Sequence, residues 1–203
     1  MAELYITIGR QFGSGGREIG HKVAEALGIA YYDKELLAVA AKESGLSHQF
    51  LESYDEKPTN SFLYSLVMGQ QSLLMGGQED SVEQMAAKAQ REAVLAVAEK
   101  GSCVIVGRCA DYILRDKPGL VRVFICAGQE SRIDRVVHRD GVTAKEAADK
   151  IRRMDKTRGA YYSFHTDRKW SEAANYDLCI NTDCKGLDAA VETIVHFVKG
   201  QGK

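Results

Sequence analysis

Apolar and β-branched residues crowd into five short runs, at 4–9, 29–33, 102–107, 121–127 and 177–182, and each run predicts a strand. Between them the spacing turns helical. Residues 18–27 place Ile19, Val23, Ala24, Ala26 and Leu27 on one face, with Gly28 as the stop. The start of the chain therefore reads strand, glycine loop, helix, strand, the opening of a βαβ unit. From 34 to 100 the pattern is helical throughout. One helix is expected at 34–44, a break at 55–60 around Pro58, and a long Ala-rich helix at 81–100. Gly69, Gly76 and Gly77 mark the stretch between as a mobile-loop candidate. Further helices are expected at 130–139, 144–158 and 187–199. Continuous apolar strands alternating with helices predict an α/β fold, a three-layer αβα sandwich around a five-stranded parallel sheet.

Composition narrows this little. The chain has 203 residues, 45% hydrophobic and 27% charged, which suits a single domain with a core that needs no disulfide. A net charge of −1 argues against a general binder of nucleic-acid polymers or membrane surfaces. No stretch reaches membrane-spanning length and the start lacks a leader pattern, so a cytoplasmic location is expected. The five cysteines are odd in number and lack CxxC spacing. Cys103, Cys126 and Cys179 fall in strand runs and are expected as small buried hydrophobes. His21, His48, His138, His165 and His196 are scattered, without metal-ligand spacing. Trp170 is expected as a packing anchor, and Met68, Met75 and Met85 as packing residues.

Candidate chemistry begins at Gln11-Phe12-Gly13-Ser14-Gly15-Gly16-Arg17-Glu18, between the first strand and the first helix. Glycines let a backbone turn sharply and bring N–H groups against phosphate oxygens, and the following helix N-terminus adds partial positive charge. Against the consensus GxxxxGK[ST], Gly16 falls on the second glycine and Arg17 on the lysine. Gln11 then falls on the first glycine and Glu18 on the Ser/Thr. Arg17 can still meet phosphate oxygens, as a planar fork. Glu18 lacks the hydroxyl that usually ligates Mg²⁺; its carboxylate either binds the ion or only starts the helix. A dinucleotide site competes for the same residues: Gly13 and Gly15 supply a GxG, and Asp33 stands near the distance of a ribose-binding acid, but Glu18 occupies the third glycine position. A tight structural turn is the plain alternative.

Arginines supply the rest. Gly107-Arg108-Cys109-Ala110-Asp111 follows the third strand. Ligands bind beyond the carboxyl ends of parallel strands, so Arg108 suits an acceptor phosphate; a surface Arg–Asp pair is the bland reading. Arg132, Arg135 and Arg139 share a helical face, either solvated or turned to phosphate. Arg152, Asp155 and Arg158 are expected along one side of a helix end, with Gly159 suiting a segment that opens and closes. Phosphoryl transfer needs such positive charge around the migrating group.

Three stretches carry a family resemblance: Ile8-Gly9-Arg10-Gln11-Phe12-Gly13-Ser14-Gly15-Gly16-Arg17-Glu18-Ile19, Tyr31-Tyr32-Asp33-Lys34-Glu35-Leu36-Leu37, and Val106-Gly107-Arg108. The chain resembles the cytidylate kinase-like family, a branch of the nucleoside monophosphate kinases, over nearly its whole length. The resemblance implies a P-loop NTPase fold with a core at 1–33 and 101–203, a helical NMP-binding insertion at about 34–100 and an Arg-rich lid at about 150–172. It implies transfer of the ATP γ-phosphate, with Mg²⁺, to a nucleoside monophosphate such as CMP or dCMP. Gly13, Ser14, Gly15, Gly16, Arg17 and Glu18 would hold donor phosphates, with Glu18 the candidate Mg²⁺ ligand. Asp33, Arg108 and Asp111 would bind the acceptor. Arg17, Arg152, Asp155 and Arg158 would be catalytic, with Arg132 and Arg135 as further phosphate contacts. Arg17, Glu18 and Cys109 depart from the pattern of true cytidylate kinases. Those departures leave a non-catalytic nucleotide-binding regulator as the alternative, and a dinucleotide-dependent oxidoreductase as a third reading.

Overall fold

The first apolar run becomes β1 (Tyr5–Arg10), and the glycine loop leads into α1 (Gly16–Leu27), which Gly28 ends in the left-handed conformation. The computed structural model describes residues 3–45 and 82–200, with residues 47, 49 and 52 between them. After β2 (Ala30–Tyr32) come α2 (Glu35–Ser44) and α3 (Val82–Ala98). Then follow β3 (Cys103–Val106), α4 (Ala110–Ile113), β4 (Leu120–Cys126), α5 (Gln129–Asp140) and α6 (Ala144–Thr166). A 3₁₀ turn at Ala173–Asn175 precedes β5 (Leu178–Asn181) and α7 (Gly186–Gly200). The break expected at 55–60, the glycines 69, 76 and 77, and Met68, Met75 and His48 lie outside the described residues.

The five strands form one parallel sheet in the order β2-β3-β1-β4-β5. Ile8 pairs with Val106 on one side and Val123 on the other, so β1 lies between strands distant in sequence. The chain leaves β1 toward β2 and β3 and later returns on the other side of β1 as β4. Parallel sheets leave a crevice at such a reversal, beyond the carboxyl ends of the strands. The glycine loop opens into that crevice.

Alternation along β1 feeds two cores. Ile6 and Ile8 pack with Ile19, Val23, Val104, Val123, Ile194 and Val198 beneath α1 and α7. Tyr5 packs on the opposite face with Leu36, Ala40, Ala89, Ala93, Val97 and Leu114, beneath α2, α3 and α4. The small residues Ala86, Ala89 and Ala93 on α3 are fully buried, and α2 packs against this helix.

Helix α6 departs most from expectation. It begins with a capping box between Thr143 and Glu146 and runs through Gly159 to Thr166. Glycine inside a helix costs about 1 kcal/mol relative to alanine. Here Tyr161 and Tyr162, buried just beyond it, outweigh that cost. A Cβ on Gly159 would lie 3.7 Å from the Trp170 ring, and Trp170 meets Phe124 edge to face at 5.4 Å. Gly159 is thus a packing position inside a continuous helix rather than its end, and Trp170 is the anchor expected. Of the strand cysteines, Cys103 is buried and Cys126 half-buried, but Cys179 is exposed because β5 is the edge strand. Met85, expected in packing, is exposed. Among the described residues no helix is long and apolar enough to cross a membrane.

Candidate active site

The glycine loop turns on Gly13 and Gly15, at φ 79° and 86°, in the left-handed region that favours glycine. Its carbonyls are tied from behind. Arg135 Nη1 donates to Gly13 O at 3.3 Å and to Thr182 Oγ1 at 3.2 Å, and Thr182 Oγ1 donates to Ser14 O at 3.1 Å. Arg132 Nη1 donates to Phe12 O at 3.4 Å, and Ser14 Oγ to Gln11 O at 2.8 Å. Arg132 and Arg135 therefore shape the loop through its backbone. Thr182, absent from the sequence expectations, was signalled only as a polar residue ending the fifth strand run. In front of the loop lies a cleft of about 940 Å³, lined by Gly13, Gly15, Gly16, Arg17, Glu18 and Asp33 among others. Arg135, Arg139, Lys150 and Arg158 line it as well.

Asp33 follows β2 and is only 4% exposed. Arg17 Nε donates to its Oδ2, while Arg108 Nη1 and Arg10 Nη2 stand 3.7 and 3.9 Å from Oδ1. Arg108 Nη1 also donates to the Asp33 carbonyl at 2.5 Å, and the Asp33 N–H donates to Glu35 Oε2 at 3.0 Å. Hydrogen bonds from its own backbone and that of Asp33, with the charges of Arg17 and Arg108, hold the Glu35 carboxyl below the usual range against the opposing effect of burial. Burial pulls the Arg17 guanidinium down, but the Asp33 charge and hydrogen bond outweigh it and the net shift is upward. Gly107, Arg108 and Cys109 take φ of 79°, 55° and 53° in succession. Left-handed backbone costs a non-glycine residue roughly 1–2 kcal/mol, a strain typical of ligand-binding turns.

Asp111 is buried between α4 and α6, where Tyr162 Oη donates to its Oδ2 at 2.7 Å. It shares with Arg108, Tyr162 and Tyr176 a small cavity of about 20 Å³. Burial raises the Asp111 carboxyl above the usual range, against the Tyr162 hydrogen bond. A raised carboxyl contributes stability at acid pH that is lost as pH rises through its folded-state value. Asp111→Asn keeps an acceptor for Tyr162 and removes the charge. The variant should melt like the wild type in acid and at a higher temperature than the wild type at pH 7. Thermal melts across pH check it.

Helix α6 meets the loop directly. The Phe12 N–H donates to Asp155 Oδ1 at 2.7 Å, Arg132 Nη1 donates to Asp155 Oδ2, and Arg158 Nη1 donates to the Arg10 carbonyl at 3.2 Å. Arg139, Arg158 and Lys150 lie 4.9, 5.5 and 5.7 Å from the Phe12 ring centroid, within cation–π reach. Arg152 does not join them: its side chain is 79% exposed and paired with Asp149. The expectation of one shared side fails on helical geometry. Steps of three residues fall about 60° short of a full turn each, so Arg152 and Arg158 point about 120° apart. Glu18 lines the cleft but is paired with Lys22 at 3.0 Å, and Lys22 reaches Asp188 at 2.8 Å.

A sequence profile of the cytidylate kinase-like family matches residues 5–184. The chain belongs to the cytidylate kinase-like family. A cytidylate kinase from Pyrococcus horikoshii is 25% identical over 181 residues, covering 89% of this chain and 80% of that protein. Among solved structures, an uncharacterized protein from Eubacterium ventriosum is 31% identical, with a TM-score of 0.71 and 97% of this chain covered against 99% of that one. A shikimate kinase from Bacteroides thetaiotaomicron, 15% identical with a TM-score of 0.56 over 98% of this chain and 99% of its own, shares the fold. This family member thus has the α/β P-loop kinase fold, with its glycine loop, Asp33, Arg108, Asp155 and Arg158 gathered at one sheet edge.

Family membership implies ATP and Mg²⁺ in general terms, and the residues present suit both. Mg²⁺ keeps several waters and takes one or two carboxylates beside substrate phosphates. Glu18 offers one carboxylate on the cleft. Among the described residues no group of three or more His, Cys, Asp or Glu could hold a metal by itself.

Proposed function

We propose that this chain is an ATP-dependent phosphotransferase acting on a nucleoside monophosphate, CMP or dCMP first among them. The observation that carries the reading is the meeting of the Gly13–Arg17 loop, the Asp33–Arg108 pair and the Asp155–Arg158 stretch of α6 at one sheet edge. Catalysis of this reaction is chiefly positioning and charge stabilisation. The loop and the α1 N-terminus would hold the donor phosphates. Arg17 and Arg158, both on the cleft, would face the migrating group. Asp33 and Arg108 would meet the acceptor. Mg²⁺, when bound with ATP, would neutralise charge on the phosphates, with Glu18 as its protein ligand. Residues 34–100 would cover the acceptor and 150–172 would act as the lid.

An ADP-release assay across nucleoside monophosphates, at high enzyme and Mg²⁺, tests this. Turnover is expected with CMP or dCMP, and its absence with every acceptor would sink the proposal. In the same assay Arg108→Ala should raise the acceptor KM at least tenfold, roughly the worth of one charge-assisted hydrogen bond. The altered loop favours one second reading, a nucleotide-binding regulator. It predicts ATP binding by calorimetry with no turnover.

A further inference from the structure

Where a P-loop carries lysine, this chain carries Arg17, and the structure suggests why the exchange works. A lysine ammonium is a compact point charge, so a carboxylate that holds it competes with phosphate for it. A guanidinium is a planar fork with two usable edges. In this chain the Nε edge of Arg17 is occupied by Asp33, yet the side chain is still 59% exposed and both residues line the donor cleft. Asp33 is in no position to follow Arg17 outward. Its carbonyl accepts from Arg108, its N–H is bonded to Glu35, and its Oδ1 faces Arg108 and Arg10. The Arg17 backbone is held as well, since Tyr31 Oη donates to its carbonyl at 3.3 Å.

We propose that Asp33 is a positioning residue for Arg17: it holds the Nε edge so that the Nη edge is offered to the donor phosphates, and the pair together replaces the loop lysine. This rests on the reading of Gly13–Arg17 as the donor loop. A consequence follows from charge alone. Restoring the consensus with Arg17→Lys places a single ammonium beside a fixed, buried carboxylate, which captures it. The consensus residue is therefore the worse one here for as long as Asp33 stays.

Calorimetric ATP binding without acceptor tests the pair apart from any chemistry, in the wild type, Asp33→Asn, Arg17→Lys and the double variant. Asp33→Asn is expected to weaken ATP roughly tenfold, the scale of one orienting charge-assisted hydrogen bond. Arg17→Lys is expected to weaken it at least as much. In the Arg17→Lys background, adding Asp33→Asn is expected to leave ATP binding unchanged or tighter. General damage to the fold cannot produce that reversal of sign. Asp33→Asn that leaves wild-type affinity unchanged or tighter, or that weakens binding by the same factor in both backgrounds, overturns the proposal and leaves the donor-loop reading standing. Should Asp33→Asn fail to fold, Arg17→Lys decides alone, because its side chain is largely exposed: ATP binding as tight as wild type or tighter overturns the pair. Wild-type protein that binds neither ATP nor inorganic tripolyphosphate overturns the donor-loop reading and this inference with it.

Discussion

Gly16→Ala is expected to lower kcat/KM for ATP-dependent transfer about a hundredfold, the scale of an ~1 Å misplacement at a reacting centre. A Cβ on Gly16 would lie 2.6 Å from the Arg10 Cβ and 3.3 Å from the Ile125 Cβ. Both are stem atoms on central strands, β1 and β4, so neither yields without moving the sheet. The first turn of α1 must then lift away from β1, and the loop amides move with it. Overpacking of this kind costs typically about 1–3 kcal/mol, so the variant should fold with a lowered melting temperature. Gly15→Ala is the informative contrast. Its added methyl would meet Leu187 Cδ2 at 2.4 Å, the far end of a side chain that can rotate away. What remains there is backbone strain at φ 86°, about 1–2 kcal/mol. Gly15→Ala should therefore lose less activity than Gly16→Ala. Calorimetry with ATP beside the ADP-release assay separates lost binding from lost chemistry. A Gly16→Ala protein that is destabilised but binds ATP normally would remove the loop from the donor site.

The strands were legible because a parallel sheet buries both faces, so β3 reads as an unbroken apolar run and β1 and β4 as apolar runs broken only by Thr7, Arg10 and Arg122. Asp33 and Arg108 were legible for a topological reason: each follows a strand, and all strands of a parallel sheet end on one edge. Strand order was not legible, since no local pattern records which strands pair. The role of Arg132 and Arg135 was visible only as a basic helical face. That they hold loop carbonyls depends on how α5 packs, with Val136, Ile151 and Phe12 in one small core. The length of α6 was misread because Gly159 carries a local signal to stop, while the packing of Tyr161, Tyr162 and Trp170 is long-range. Arg152 was misplaced by treating spacings of three as one face over two successive steps.

Asp155→Ala is expected to be the most destabilising single change near the cleft, at about 3–5 kcal/mol, or roughly 2–4 °C of melting temperature for each kcal/mol. One carboxylate does two things: Oδ1 accepts the Phe12 N–H at 2.7 Å, and Oδ2 accepts from Arg132. The side chains of the pair are only 12% and 19% exposed. Removing the acid strands a mostly buried guanidinium, whose Nε already lacks a partner, together with the loop amide of Phe12. Leaving a buried charge unpaired costs more than the pair itself contributes. Two controls separate the parts. Asp155→Asn keeps an oxygen for the Phe12 N–H but loses the charge, so it should fall between wild type and alanine. Adding Arg132→Leu to Asp155→Ala removes the stranded charge and should recover part of the loss, giving a double variant more stable than the sum of the singles. Urea unfolding of the wild type, Asp155→Ala, Asp155→Asn, Arg132→Leu and the double variant measures this. Strictly additive losses would mean that Asp155 and Arg132 act independently, and that α6 is joined to the loop through Arg158 and the Phe12 ring instead.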